Sequence, residues 1–114
     1  MSHEKQFYIN GQWVEPSTND TVDVINPATE EVVATIALGG VEDVNAAVAA
    51  ARAAFESYSR TSREERIALQ ERILEIYQRR SDEFARAITL EMGAPAKLSK
   101  YAQAPSGTGH FAAA

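Results

Sequence analysis

The sequence has 114 residues, a hydrophobic share of 45% and a net charge of −5, which leaves room for one domain and none for two. It contains no cysteine, so disulfides and thiolate metal sites are excluded and the redox compartment stays open. Arg60, Arg63, Arg66, Arg72, Arg79 and Arg80 are interleaved with Glu64, Glu65, Glu71 and Glu75; this is a charge-paired helix surface, not the basic, aromatic-bearing patch that nucleic acid needs.

Residues 1–6 read as a flexible polar arm. No basic segment followed by an apolar run opens the chain, so no signal peptide is expected. The alanine–valine run 46–51 is far too short to cross a bilayer, and the cytoplasm is the expected compartment. Residues 7–37 form the β region. Asn10 and Gly11 suit a tight two-residue turn between Tyr8-Ile9 and Trp13-Val14. The next strand ends at Asn26 because Pro27 has no N–H and pushes its predecessor towards extended backbone. A turn over 28–31 leads into 32–37, and 22–25 and 32–36 are expected to pair as a second hairpin.

Gly39 and Gly40 end the strands, and the rest reads as helix. The first helix covers about 41–58, with Glu42 and Asp43 in the turn that the helix dipole favours for acids. Val44, Val48, Ala51, Phe55 and Tyr58 recur at helical spacing and are expected as its buried stripe. Ser62 followed by Glu65 is a capping box that opens the second helix, whose apolar face is Leu69, Ile73, Ile76 and Tyr77. A break near Ser81 and Asp82 starts a third helix, with Phe84, Ala87 and Ile88 facing inward. Gly93 is placed to cap it, and Pro95 to open a last, weakly helical stretch over 96–114. The fold class is therefore α+β: two short antiparallel β-hairpins followed by three to four helices. Alanine carries much of the apolar share, so the core is expected to be thin.

Few residues invite a chemical role. His3 lies in the arm and His110 follows Gly107-Thr108-Gly109; neither has a carboxylate neighbour in sequence to orient it. The Gly107 to Gly109 stretch lacks a preceding strand and a third glycine, so it marks close helix packing or fraying rather than a phosphate loop. Trp13 pairs with Tyr8 across the first hairpin. Glu91 occupies a helix C-terminal turn without a visible partner. The pair Asn26-Pro27 acts as a strand terminator. On these grounds no catalytic and no cofactor-binding residue is assigned, and the metal question stays open.

Several segments, in order, carry a resemblance. They are Ile9-Asn10-Gly11 with Trp13, then Asn26-Pro27-Ala28-Thr29. Next come Asp43-Val44 with Ala47-Val48 and Ala53-Ala54-Phe55. Ser62 with Glu65-Arg66 and Leu69 follows, then Leu90-Glu91-Met92-Gly93-Ala94-Pro95. Together they resemble the beginning of aldehyde dehydrogenases, and 103–107 with His110-Phe111 is similar to a bacterial branch of that family. The resemblance implies that 7–114 is the N-terminal portion of the cofactor-binding domain of a three-layer α/β enzyme, incomplete as it stands. It implies a full-length oxidoreductase that turns an aldehyde into an acid with NAD or NADP. A cysteine nucleophile and a glutamate base would do the chemistry, and both lie downstream in the family.

The chain alone is therefore expected to be inactive and to bind no cofactor. Its expected partner is the remainder of the enzyme chain, which would be a homo-oligomer when full length, with neither nucleic acid nor membrane. In some family members the carbonyls before the Asn-Pro pair bind a monovalent cation. The matching groups here are Val24 and Ile25, and the family's acidic partner beyond the Gly-x-Pro turn has no counterpart, since 94–114 holds no Asp or Glu. A reading from a different class is a small interaction module derived from such an enzyme.

Overall fold

Asn10 and Gly11 both hold positive φ, 53° and 76°, the backbone a two-residue turn needs to match the twist of its strands. They join β1 (Phe7–Ile9) to β2 (Gln12–Val14), antiparallel, with Tyr8 opposite Trp13. β3 (Thr21–Ile25) and β4 (Val32–Ala37) make the second antiparallel hairpin, whose register slips between Val24 and Ile25. Across it Thr35 Oγ1 donates to Asp23 at 2.8 Å. The two hairpins are separate two-stranded sheets. This computed structural model describes residues 3–114; Met1 and Ser2, the start of the expected flexible arm, lie outside the described residues. From His3 onward the arm makes defined contacts. His3 stacks on Trp13 with ring centroids 4.0 Å apart, its Nδ1 hydrogen-bonds Gln6 Oε1 at 2.6 Å, and the Ala37 N–H donates to the Glu4 carbonyl.

The described residues fall into two compact units. One runs to Ile25 and resumes over Val32–Arg60; the other takes Asn26–Glu31 and Thr61–Ala114. The first unit holds both hairpins and α1 (Val41–Tyr58). Gly40 caps α1 in extended backbone, and the Asp43 carboxylate reaches back to accept from the Gly40 N–H at 2.8 Å. The same carboxylate accepts from the Ser17 N–H at 2.9 Å and the Ser17 hydroxyl at 2.6 Å, tying the loop before β3 to the helix start. A Cβ at Gly40 would stand 2.8 Å from Thr18 Cγ2 and 2.9 Å from Ser17 Oγ, so this approach requires glycine.

In the second unit, α2 (Arg63–Arg79) opens on the capping box: Ser62 Oγ accepts from the Glu65 N–H, and the Glu65 carboxylate accepts from the Ser62 N–H. Arg80 bends the chain into α3 (Ser81–Met92) and pairs with Glu83 at 2.8 Å. Gly93 ends α3 in the left-handed region, φ 66°. Then α4 (Ala96–Leu98), a π-helical turn (Ser99–Gln103) and α5 (Ala104–Ala113) follow without interruption. Pro105 accounts for the wide turn. It cannot donate to the carbonyl of Tyr101, and its ring needs room there, so the preceding turn loosens to i→i+5 bonding.

Burial departs from the sequence expectation. Among the described residues Ala85 and Ala104 are the buried apolar ones, and Ser99 is fully enclosed. The expected buried stripe of α1 is exposed along Val44, Val48, Ala51, Phe55 and Tyr58; Val44 lines a groove beside β1, but a three-residue strand covers little of an 18-residue helix. Leu69, Ile73 and Ile76 of α2 are also exposed, while Tyr77 is half-buried and stacks on Phe84 at 4.5 Å. On α3 the inward residue is Ala85; Ile88 is half-buried, Phe84 lies partly open and Ala87 is exposed.

Candidate functional site

A concavity is found in each unit, and polar groups settle what each can do. In the first unit a groove of about 370 Å³ is lined by Phe7, Tyr8, Ile9, Gly39, Asp43, Val44 and Ala47. Here β4 feeds a Gly39-Gly40 pair into the start of α1, an arrangement that elsewhere receives phosphate. The anion position is already taken. The Asp43 carboxylate sits on the Gly40 N–H, and the Ser17 hydroxyl, then the Gly40 N–H, hold its pKa below the usual value of 3.8. With Glu42 beside it in the first turn, the position repels a diphosphate, so these residues do not fit the phosphates of a dinucleotide.

In the second unit an open cleft of about 360 Å³ lies among the 26–31 turn, α3 and the start of the last helical stretch. Asn26, Asp82, Arg86, Thr89 and Lys100 supply its polar lining. Each of four has a structural engagement or a charged neighbour. Lys100 Nζ lies 3.1 Å from Asp82, which raises the lysine pKa, while Arg86 pushes it the other way. Asn26 Oδ1 accepts from the Ala28 N–H at 2.9 Å, and Thr89 Oγ1 donates to Ser99 Oγ at 2.9 Å. No nucleophile stands beside a base in this cleft, and among the described residues no group of three His, Asp or Glu could hold a metal ion.

The residues singled out in the sequence are dispersed through these elements. Asn26 does more than stop a strand. Its side chain makes an Asx-turn, its carbonyl accepts from the Glu30 N–H and its N–H donates to the Glu31 carbonyl, with Glu30 at φ 58°. Pro27 packs where a Cβ on Gly93 would fall, 2.8 Å from Pro27 Cγ. Val24 and Ile25 lie at the irregular end of β3. Trp13 is the expected cross-strand partner of Tyr8, centroids 5.2 Å apart. Gly107 is a close-packing position: a Cβ there would overlap the Tyr77 hydroxyl, which donates to the Ala104 carbonyl at 2.9 Å. His110 and Glu91 are exposed.

The Ser17–Asp43 clasp and the enclosed Ser99 are the polar features that sequence reasoning missed. Asp43 three residues after Gly40 is a capping spacing that signals the first; nothing local signals the second.

Comparison with known proteins agrees with this scaffold. The family model described as the aldehyde dehydrogenase family matches residues 13–114. A curated relative, a 3-succinoylsemialdehyde-pyridine dehydrogenase from a Pseudomonas species, is 49% identical over 112 residues, which is 97% of this chain and 24% of that protein. A crystal structure of an aldehyde dehydrogenase from Bartonella henselae superposes with a TM-score of 0.94 at 44% identity, over 96% of this chain and 23% of that one. An aldehyde dehydrogenase C variant from Pseudomonas syringae, solved with NAD+ and octanal, superposes equally well at 45% identity. The chain thus spans about a quarter of the length of the relatives it matches.

Proposed function

The chain belongs to the aldehyde dehydrogenase family, and from that premise we propose that it serves as the leading scaffold of an enzyme that oxidises an aldehyde to a carboxylic acid. The hydride goes to NAD or NADP, water supplies the acid oxygen, and a proton is released. The observation that carries this reading is the superposition, at a TM-score of 0.94, of nearly the whole chain on the corresponding quarter of a solved family member. The described residues hold the caps, turns and hairpins of that quarter. They supply no thiol for attack on a carbonyl, and the start of α1 is closed to cofactor phosphate by Asp43. Chemistry is therefore assigned to the part of the enzyme outside the matched segment, and the 114 residues alone are inactive.

A chimera tests this. Residues 1–114 replace the matched first quarter of the Pseudomonas relative, and NAD(P)H formation with an aldehyde is followed by absorbance. The chimera is expected to turn over, and the chain alone is not. A chimera that is folded yet inert, or an active isolated chain, refutes the reading.

A further inference from the structure

We propose that Asn10 is a site of spontaneous modification gated by the fold. When the first hairpin opens, the Gly11 nitrogen cyclises onto the Asn10 side chain, and water opens the ring to isoaspartate or aspartate.

The step needs only water. The Gly11 nitrogen attacks Asn10 Cγ, and a new N–Cγ bond forms while the nitrogen loses its proton to solvent. The Cγ–Nδ2 bond breaks, and Nδ2 takes up a proton and leaves as ammonia. The product is a cyclic imide. Water then adds to either imide carbonyl and breaks its bond to the Gly11 nitrogen. Addition at Cγ restores the ordinary backbone, now with aspartate. Addition at the main-chain carbonyl leaves the peptide running through the side chain, which is isoaspartate. In sum water is consumed and ammonia released, nothing is oxidised or reduced, and a neutral side chain becomes an anion.

Local surroundings select Asn10 among the four asparagines. Glycine follows it, so no Cβ obstructs the attacking nitrogen. Asn26 precedes Pro27, whose nitrogen has no proton to lose. Asn45 precedes Ala46 within α1, where the helical ladder holds the nitrogen. Asn19 precedes Asp20, whose side chain crowds the approach and whose N–H donates to Thr18 Oγ1 at 3.4 Å.

The folded turn blocks the step at Asn10. Its φ of 53° belongs to the left-handed region, where ψ is about +30 to +60°. At such a ψ the Cβ and the Gly11 nitrogen lie nearly opposite each other across the Cα–C bond, whereas ring closure needs them nearly eclipsed. The turn must therefore be left before the ring can form. β1 and β2 are three residues each and make a sheet of their own, and an isolated two-stranded hairpin is marginal in water. Ring contacts support it: His3 stacks on Trp13 at 4.0 Å, and Tyr8 meets Trp13 at 5.2 Å. Isoaspartate adds a carbon to the backbone at the tip, so the two-residue geometry that pairs Ile9 with Gln12 is lost. A transient opening is thereby made permanent.

The test incubates the 114-residue chain at mildly alkaline pH in buffer and in urea, with the helical circular-dichroism signal as the check on folding. Peptide mass mapping locates the gain of one mass unit, and methyl transfer by an isoaspartate methyltransferase marks the isoaspartate. Product is expected at Asn10, formed about tenfold or more faster in urea, because the rate follows the population of the open hairpin. Trp13→Ala removes both ring contacts; it should speed the reaction severalfold in buffer and leave the rate in urea unchanged. Asn10→Gln, whose longer side chain closes a larger ring far more slowly, should abolish the signal in both. The same peptide followed in the joined chimera supplies a folded state that does not depend on the isolated chain's own stability, and it too should react more slowly than in urea. No product at Asn10 in urea, or faster modification at Asn19 or Asn45, overturns the site. Equal rates in the folded protein and in urea overturn the gate, as does Trp13→Ala reacting no faster than the parent in buffer.

Discussion

Replacing Gly93 by alanine should destabilise the second unit by about 2–5 kcal/mol, summed from two separable causes. Gly93 holds φ at 66°, and a left-handed backbone disfavours an L side chain by about 1–2 kcal/mol. The added Cβ would also stand 2.8 Å from Pro27 Cγ and 3.4 Å from the Ala28 nitrogen, an overpacking that costs roughly 1–3 kcal/mol. Gly11 separates the two. Its φ is 76°, but a Cβ there meets nothing within 4 Å, so Gly11→Ala should show the backbone cost alone. Urea unfolding read by the helical signal at 222 nm, together with hydrogen exchange over 81–92, compares the variants with the parent chain. Gly93→Asn, which tolerates the left-handed region, should recover part of the backbone cost and none of the steric one. If Gly93→Ala proves no more costly than Gly11→Ala, the clamp between Pro27 and Gly93 is not what holds this turn.

Ser62→Ala should cost about 1 kcal/mol by removing the oxygen that accepts from the Glu65 N–H, with exchange speeding first at the start of α2. Gly107→Ala should displace Tyr77 and break its hydrogen bond to the Ala104 carbonyl; the near-ultraviolet tyrosine signal reports it, and an unchanged spectrum would count against the packing described. Acid should loosen both units. Asp43, Glu65 and Glu83 all have lowered pKa values, from Ser17, Ser62 and Arg80 respectively. Their contribution is therefore complete above the ordinary carboxylate range and lost as pH falls through their folded pKa values, below about pH 4. In Asp43→Asn, the loss of stability between pH 5 and pH 2 should be shallower than in the parent; an identical slope would remove Asp43 from the account.

Local signals were legible in the sequence because each is complete within a few residues. Asn10-Gly11 required a tight turn, Ser62 with Glu65 marked a helix start, and Gly93 marked a helix end; all three stand where the chain placed them. The apolar periodicity of α1 was equally visible, but periodicity reports which face seeks cover and is silent on whether cover is present in the same chain. That is why Phe55 and Val44 were expected inside and are found outside. The enclosure of Ser99 involves Thr89 of α3, whose hydroxyl donates to it at 2.9 Å, a contact through space that no local rule anticipates. For the candidate site, composition shows at once that these residues carry no thiol. The occupation of the α1 N-terminus by Asp43 needed the Ser17 loop to be seen folded against it.

The 26–31 turn has a consequence for the order in which the chain matures during synthesis. The strands on either side of it can zip once residue 37 has left the ribosome, since hairpins form within microseconds. The tip, however, meets Gly93 only after α3 has been made, and closing so long a loop is entropically slow to be rewarded. A nascent chain halted before Gly93 should therefore carry a paired hairpin with an unclamped, protease-accessible tip. Release of a few more residues past α3 would then latch the turn, so that Pro27 acts as a late checkpoint on a segment translated early.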